Sequence, residues 1–375
     1  MDLRESAEQR EVRERYVAWL TAFLPSDYLG RYTEYRWDLG LRRAHQEAAF
    51  EAGWLQPTWP PEHGGQSLGP VEAMTVRLES AIRAAPKLPN IQGVNVVAPG
   101  LREFGTAEQV ERLLVPALRG SEWWALGMSE PGAGSDFASL RTRAVRRDDS
   151  YVVNGQKIWS TQAHESRWAT LYVRTDVEAP RHRGISCLLL DLHAPGVTVR
   201  PIRMATTTDE TFCEVFLDDV EVPVSALLGP ENSGWQVAMS SLEHERDMIW
   251  IMNWVEVWRG LREVRTHGTD LGDDLLCELG RRLADADALR VTGYRSLTNS
   301  LRGRRSPESA ILKLLGSEAL QRTWELAATA AGSAAPVGPE LAFARHDALA
   351  ATLYGGTSEV QRNIIGERVL GLPKG

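Results

Sequence analysis

The spacing of hydrophobic residues divides the chain into three zones. In residues 1–120, apolar side chains recur with a helical period, which predicts helices over residues 10–24, 39–53 and 71–84. Between the last two lies the segment 59–65, whose two prolines and two glycines exclude a continuous helix. The sequence therefore predicts an N-terminal helical domain over residues 1–121.

From about residue 122 to residue 224 the hydrophobic period changes to two, which is typical of β-strands. Strands are predicted at 151–153, 169–173, 185–190 and 212–217, separated by turns such as Asn154-Gly155. Because no long helical pattern lies between these strands, the sheet should be antiparallel, as a barrel or a sandwich. This predicts a middle antiparallel β domain over residues 122–230.

Helical spacing returns from about residue 231. It predicts helices over residues 234–265, 273–301, 308–330 and 347–369. The first of these is apolar nearly all round between residues 248 and 258, which predicts deep burial. The order of helices, β domain and helices indicates an α+β fold that is mostly α, with a C-terminal helical domain over residues 231–375.

Composition excludes several classes of protein. A length of 375 residues suggests two or three domains, and 43% hydrophobic with 25% charged residues excludes wholesale disorder. No apolar stretch is long enough for a membrane span, and the charged first residues predict no secretory leader. Three cysteines without C-x-x-C spacing argue against disulfides and zinc thiolates and favour the cytoplasm. A net charge of −8 without a basic run argues against a nucleic-acid partner.

The sharpest motif is Ser-Glu-Pro-Gly-Ala-Gly-Ser-Asp at residues 129–136. Its glycines allow the backbone to approach a ligand closely, and successive N–H groups in such a turn bind anionic or carbonyl oxygens. It is not a dinucleotide-binding fingerprint, because a third glycine and a βαβ unit are both missing. The alternative is a plain tight turn.

A second motif, Asn-Gly-Gln-Lys-Ile-Trp-Ser-Thr, occupies residues 154–161. Asn-Gly predicts a hairpin turn, after which an indole and a hydroxyl lie two residues apart on one strand face. This pair suits a planar heteroaromatic cofactor, whose ring packs on the indole while the hydroxyl bonds a ring nitrogen. The alternative is a half-buried strand tryptophan with no ligand.

A third motif, Glu-His-Glu-Arg-Asp at residues 243–247, precedes the apolar part of the long C-terminal-domain helix. Charges at the border of a buried segment must face solvent or be paired, and a carboxylate there is a candidate general base. A solvated helix face is the alternative. A metal site is rejected, because neighbouring helix residues point apart and no second histidine follows at i+4.

A fourth motif, Leu-Tyr-Gly-Gly-Thr-Ser-Glu-Val-Gln-Arg, occupies residues 353–362. Paired glycines before Thr-Ser predict a helix start whose exposed N–H donors suit a pyrophosphate or a carbonyl oxygen. An ordinary turn between helices is the alternative.

Together and in this order, the four motifs resemble the acyl-CoA dehydrogenase superfamily of flavoproteins, and the resemblance extends from residues 59–65 to residues 362–373. It implies an N-terminal helical domain, a middle β domain and a C-terminal four-helix bundle, with FAD between the last two. It also implies the reaction of lipid metabolism in which a carboxylate removes the α-proton of an acyl thioester and the β-hydrogen leaves as hydride to flavin N5. The product is the trans-2-enoyl thioester, and electron-transfer flavoprotein is the implied electron acceptor.

The resemblance assigns roles to individual residues. The cofactor-binding residues either lie along the flavin or contact FAD at the start of the last helix. Those along the flavin are Leu126, Met128, Ser129, Trp159, Ser160 and Thr161, and those at the last helix are Thr357 and Glu359. The substrate-binding residues are Ser135, at the pantetheine arm, Arg246 and Gly356. No metal is implied.

The chain departs from the commonest family pattern at the catalytic base. Many members carry a glutamate immediately before the Gly-Thr pair near the C-terminus, where this chain has Gly355. A second group, with members acting on branched, long-chain or steroid side-chain thioesters, carries a Glu-Arg pair on the first helix of the C-terminal domain. Glu245-Arg246 matches that group, so Glu245 is the predicted base and the N–H of Gly355 is left to polarise the carbonyl.

A second departure concerns subunit contacts. Many homotetrameric members reach the neighbour's FAD through Arg-x-x-Phe-Gly and Gln-x-x-Gly-Gly segments, and residues 265–270 and 325–332 match neither. Actinobacterial steroid-degrading members with two unlike subunits show a similar loss. The chain is therefore predicted to assemble, either with itself or with a related chain.

Alternatives on the same fold are a flavin-dependent oxidase or monooxygenase, and one subunit of a mixed oligomer that shares its FAD site. The acyl group is open, as is the choice between CoA and a carrier protein. Trp250, Trp254 and Trp258 follow each other at i, i+4 and i+8. They indicate either a bulky or cyclic acyl group or packing against other helices.

Overall fold

The computed structural model describes residues 4–205, 211–267, 272–304, 308–332 and 339–373, without the side chains of residues 33, 242–248, 267 and 339. The chain forms two compact units. We call residues 29–67 and 86–245 the β unit, and residues 1–28, 68–85 and 246–375 the helical unit.

Helices occur in both units and make up most of the helical unit. In the described residues they are, in chain order, α1 (Ala7–Phe23), α2 (Tyr32–Tyr35), α3 (Leu39–Glu51), α4 (Pro70–Ile82), α5 (Ala98–Phe104), α6 (Ala107–Arg119), α7 (Gly234–His267), α8 (Asp273–Leu301), α9 (Glu308–Ala331), α10 (Pro339–Ala350) and α11 (Ser358–Ile364). The predicted helices over residues 10–24, 39–53, 71–84, 234–265, 273–301 and 308–330 are thus confirmed within a few residues at each end.

The predicted helix over residues 347–369 is wrong as a single element. It is two helices, because α10 ends at Ala350 and α11 begins only at Ser358, before a π-helical turn over Ile365–Val369. Gly355 and Gly356 lie between them with φ angles of +64° and +92°. These left-handed conformations end a right-handed helix, and glycine adopts them without a steric penalty.

The β unit contains one mixed sheet. Its strands are β1 (Trp124–Gly127), β2 (Arg143–Arg147), β3 (Ser150–Thr161), β4 (Trp168–Arg174), β5 (Ile185–Asp191), β6 (Val197–Pro201), β7 (Phe212–Pro223) and β8 (Leu227–Leu228). The strand order is β6-β7-β3-β2-β4-β5-β8, with β1 paired to β4. Most pairs are antiparallel as predicted, but β1 runs parallel to β4. Since β2 and β3 lie between β1 and β4 in the chain, no tight hairpin forces those two strands to run antiparallel.

The predicted hairpin turn at Asn154-Gly155 is wrong, because β3 runs straight through it. The pairing of β3 with β7 shifts register between Val153 and Gly155, which is a β-bulge. A Cβ at Gly155 would lie 2.5 Å from Oγ1 of Thr142, the residue before β2, and the φ angle of Gly155 is +153°. Glycine is therefore needed here for the close approach of the chain at Thr142, rather than for a turn.

Each unit has its own hydrophobic core. In the β unit, one core lies within the sheet around buried Tyr151, Leu171 and Leu188, and a second lies between the sheet and α5 and α6. In the helical unit, α8, α10 and α11 contact α9, and α1 contacts α4.

Two of the four tryptophans of α7 pack within the core of the helical unit. Trp250 is 3% exposed and shares a cluster with Met74 and Leu312. A Cβ at Gly293 of α8 would lie 2.6 Å from the Trp250 ring, so a glycine is required where α8 crosses it. Trp254 joins the same cluster, whereas Trp258 is 36% exposed. For Trp250 and Trp254, the structure favours helix packing over a role at the acyl group.

Among the described residues, no helix combines the length and the apolar character that crossing a bilayer requires.

Candidate active site

The turn at residues 129–136 follows directly after β1 and is open on one side. Two backbone hydrogen bonds between Glu130 and Ala133, each of 3.0 Å, close it. A Cβ placed on Gly132 or on Gly134 would have no described atom within 4 Å. Ser135 is exposed on the same segment. The turn therefore leaves room beside its backbone, as the predicted contact of Ser135 with a pantetheine arm requires.

A buried ion pair anchors this turn to β3. The Glu130 carboxylate is 8% exposed and accepts hydrogen bonds from the backbone N–H groups of Arg141 (2.6 Å) and Thr142 (2.9 Å). It also accepts one from Lys157 Nζ at 2.8 Å, and the Lys157 side chain is fully buried. Lys157 Nζ donates a second hydrogen bond to the carbonyl of Met128 at 3.2 Å.

Both members of the pair are charged at neutral pH. Burial lowers the pKa of Lys157 to about 8, and the carboxylate of Glu130 opposes that effect. Burial alone would raise the pKa of Glu130, but the Lys157 ammonium and the donated hydrogen bonds outweigh it and hold this pKa below its usual range. Sequence reasoning quoted both residues and gave neither a role. The available signal was that Lys157 is the one charge of its motif, and that Glu130 carries the opposite sign among small or apolar neighbours.

Trp159 has a strained backbone and an exposed indole. Its φ angle is +62°, uncommon for a residue with a large side chain, and it lies where β3 shifts register against β7 between Lys157 and Ser160. The side chain is 54% exposed, and one edge of the ring contacts Phe212, 6.0 Å away between centroids. A large aromatic surface held exposed in this way suits a planar partner that covers it.

The predicted flavin-edge residues lie together in the β unit. The N–H of Ile158 donates to the carbonyl of Ser129 at 2.9 Å, and the hydroxyl of Ser160 donates to the carbonyl of Leu126 at 2.9 Å. Residues 126–129 therefore lie directly beside residues 158–160, and Thr161 follows on the same strand. The Ser160 hydroxyl already donates within the protein, and the residue is only 1% exposed. The exposed indole and the open turn fit the isoalloxazine ring of FAD.

A second group of predicted residues lies in the helical unit. Thr357 is the N-cap of α11, and its hydroxyl accepts from the N–H of Val360 at 3.2 Å. The buried Gln361 side chain donates to the carbonyl of Gly355 at 3.2 Å and so fixes the two-glycine turn. Within the described ranges, the N–H of Gly355 makes no hydrogen bond. This N–H is therefore available as a donor to a ligand carbonyl.

Glu359 lines a cavity of about 380 Å³ between α9 and α11. Arg322 and Arg362 line the same cavity, and both pair with the Glu318 carboxylate. Glu325, the first residue of the segment 325–332 that departs from the family pattern, is also part of the lining.

The side chains of Glu245, the predicted base, and of Arg246 lie outside the described part of the chain. The α7 backbone is helical at both positions. One turn further along α7, Cδ1 of Ile249 lies 3.4 Å from the Cβ position of Gly355. Position 245 lies four residues, about one helical turn, before Ile249 on α7.

Comparisons with known proteins cover the whole chain. Models of the acyl-CoA dehydrogenase N-terminal, middle and C-terminal domains match residues 6–121, 125–220 and 232–370. The acyl-CoA dehydrogenase IpdE1 of Mycobacterium tuberculosis is 37% identical, over 89% of this chain and 88% of its own.

Two solved structures are similar in fold over their full length. One is titled Tcur3481-Tcur3483 steroid ACAD, with a TM-score of 0.87, 30% identity and 100% of both chains covered. The other is the ChsE4-ChsE5 complex from Mycobacterium tuberculosis, with a TM-score of 0.84, 30% identity and 100% of both chains covered.

Proposed function

Because this chain belongs to the acyl-CoA dehydrogenase family of FAD flavoenzymes, we propose that it removes the α-proton and the β-hydrogen of an acyl thioester, with Glu245 as the base. The observation that carries this proposal is the contact of Ile249 with the Gly355 turn. It supports a site in which a carboxylate on α7 and the free N–H of Gly355 act on neighbouring atoms of one thioester.

The separate roles of the carboxylate and of the Gly355 N–H follow from the chemistry of the thioester's α-carbon and carbonyl oxygen. The α-carbon of a thioester is weakly acidic, and negative charge moves onto the carbonyl oxygen as the proton leaves. A positioned carboxylate takes the proton, which contributes about 10²–10⁴-fold in rate. The N–H of Gly355 stabilises the developing charge, and one such donor contributes about 10²–10³-fold.

When bound, FAD would supply the acceptor for the hydride of the β-carbon, and the exposed indole of Trp159 and the open turn at residues 129–136 would hold it. The residues of the β unit hold that reaction in place. The exposed indole of Trp159 gives the ring a flat surface, and the carbonyl and N–H groups of the open turn lie beside it. The two electrons then pass to an acceptor, for which we propose electron-transfer flavoprotein.

A steroid-derived or similarly bulky acyl-CoA is the proposed substrate. The support is the similarity, over the full chain, to a structure whose title names a steroid ACAD. The tryptophans of α7 give no further support, because Trp250 and Trp254 pack between helices.

Turnover of acyl-CoA tests this function. We expect the FAD-loaded protein, without oxygen but with an artificial electron acceptor, to convert a bulky cyclic acyl-CoA into the enoyl-CoA, identified by mass spectrometry. The same acyl group on a carrier protein is the control for the thioester carrier. Turnover that requires oxygen and releases peroxide would favour the oxidase alternative, and an unchanged acyl-CoA pool across a range of chain shapes would contradict the proposal.

We further propose that a neighbouring chain, identical or related, completes the FAD site. Residues 265–270 and 325–332 lack the family's usual contact segments, and the two arginines that line the cavity beside Glu359 both pair with Glu318. Among similar structures, the ChsE4-ChsE5 complex contains two named chains.

Mass in solution and flavin content test the assembly together. We expect FAD retention to accompany a dimer or larger species, either of this chain alone or after co-expression with a related chain. A stable monomer that retains one FAD per chain would contradict the proposal.

A further inference from the structure

We infer that Lys157 and Glu130 are positioning residues for the cofactor. The buried pair fixes the open turn against β3 and thereby holds Trp159 in the conformation that presents its indole. This inference rests on the proposed placement of Met128, Ser129 and Trp159 beside the flavin.

The contacts of Lys157 connect both halves of the flavin edge. Its ammonium bonds the carboxylate of Glu130, in the turn, and the carbonyl of Met128, a predicted flavin-edge residue. Its own backbone lies on β3, two residues before Trp159. One side chain therefore ties the segment 128–130 to the strand at the point where the strand departs from regular pairing.

The carboxylate of Glu130 extends the same connection to β2. It is held by the N–H groups of Arg141 and Thr142, immediately before that strand. Three segments distant in sequence thus converge on one carboxylate. Burying two charges costs free energy that an apolar pair would avoid, so simple packing does not explain their presence here. The directional bonds of the Lys157 ammonium explain the buried pair, because they set the positions of the Met128 carbonyl and of the turn.

The strain at Trp159 needs such a device. A non-glycine residue with φ near +60° persists only when its surroundings hold it there. The Ile158 N–H bond to the Ser129 carbonyl lies directly before Trp159, and the Lys157 bonds lie directly before that. Without the Lys157 ammonium, the turn loses its side-chain bonds to β3, and these bonds hold the strand in place directly before Trp159.

Lys157→Met tests the inference, with Leu188→Ala as the matched control. Leu188 is fully buried in the core of the same sheet and has no part in the flavin edge, so its truncation lowers thermal stability without removing the link. A small displacement of a positioning group costs up to about 10²-fold in reaction rate. We expect a comparable sensitivity in cofactor binding, so that Lys157→Met raises the dissociation constant of FAD about tenfold or more. The control should change it by less than about threefold at a similar loss in melting temperature.

A readout without cofactor is the hydrogen exchange of the Ile158 amide. We expect it to exchange faster in Lys157→Met than in the wild-type protein, and to keep wild-type protection relative to its neighbours in Leu188→Ala. The double variant Glu130→Gln with Lys157→Met removes both charges. This double variant should still bind FAD more weakly than the wild-type protein, because no ammonium donates to the Met128 carbonyl.

Wild-type FAD affinity and wild-type exchange in Lys157→Met would overturn the inference. Full recovery of FAD affinity in the double variant would also overturn it, since the effect would then come from an unpaired buried charge. Trp159→Ala separates this inference from the proposed function. If Trp159→Ala leaves FAD binding unchanged, the placement of the flavin fails; if only the lysine variant leaves it unchanged, the positioning role fails.

Discussion

Glu245→Gln is expected to lower the rate of enoyl-CoA formation by at least about 10²–10⁴-fold while the protein stays folded and retains FAD. Glutamine keeps the size and hydrogen bonding of the side chain and removes the basic oxygen, so the substitution isolates proton abstraction. The measurement is the rate of product formation at saturating acyl-CoA, with the melting temperature and the FAD content as checks.

The neighbouring Glu243 provides the matched control. Position 243 lies about 200° round an ideal helix from position 245, so a base at one position leaves no role in proton removal for a carboxylate at the other. Glu243→Gln should leave the rate near that of the wild-type protein. If Glu243→Gln were slow and Glu245→Gln turned over normally, the base assignment would be wrong.

Trp159→Ala is expected to weaken FAD binding strongly and to shift the visible spectrum of the flavin that remains bound. An aromatic side chain buries about 150–250 Å² when covered, and covering half of that contributes about 2–3 kcal/mol at about 25 cal/mol/Å². This corresponds to a roughly 30- to 150-fold rise in the dissociation constant. Fluorescence titration of the chain with FAD measures it directly.

Three further substitutions separate the causes of that effect. Trp159→Phe keeps an aromatic surface and should retain more affinity than alanine. Trp159→Gly relieves the strain of the positive φ angle but still lacks a ring, so it should bind FAD as weakly as alanine. Trp258→Ala removes a partly exposed indole from α7 and should leave the affinity unchanged. Equal affinity in wild type and Trp159→Ala would contradict the placement of the ring.

The regular parts of the fold could be predicted from hydrophobic spacing alone. Helix periods located α1, α3, α4, α7, α8 and α9 because each buries one face or is buried all round. The change to a period of two located the sheet. Spacing could not reveal that β1 runs parallel to β4, since that pairing joins strands that are far apart in the chain.

Local signals failed where one pattern serves two structures. Asn154-Gly155 is typical of a hairpin turn, yet here the same pair lies inside a long strand, opposite a register shift, and Gly155 approaches Thr142 closely. The run from Asp347 to Val369 has a helical spacing of apolar residues, but the paired glycines before Thr357 already indicated the helix start that the structure shows at Ser358.

Of the flavin-edge residues, Trp159 and Thr161 were indicated by an indole and a hydroxyl on one strand face, and the others came from family resemblance. Residues 126–129 and 158–161 lie side by side because Ser129 and Ile158 share a backbone hydrogen bond, which no spacing rule shows. The Glu130–Lys157 pair was missed for the same reason: a salt bridge between two motifs becomes visible only once the strands between them are folded.

Deuterium-labelled substrate tests the central claim most directly, which is that this chain forms an α,β double bond in an acyl thioester. One batch of acyl-CoA carries two deuterium atoms on the α-carbon, and a second batch carries two on the β-carbon. Mass spectrometry of the products should show an enoyl-CoA that keeps one of the two labels in each case, with slower turnover of both labelled substrates than of the unlabelled one. A product that keeps both β-labels, or loss of α-label without formation of a double bond, would contradict the account.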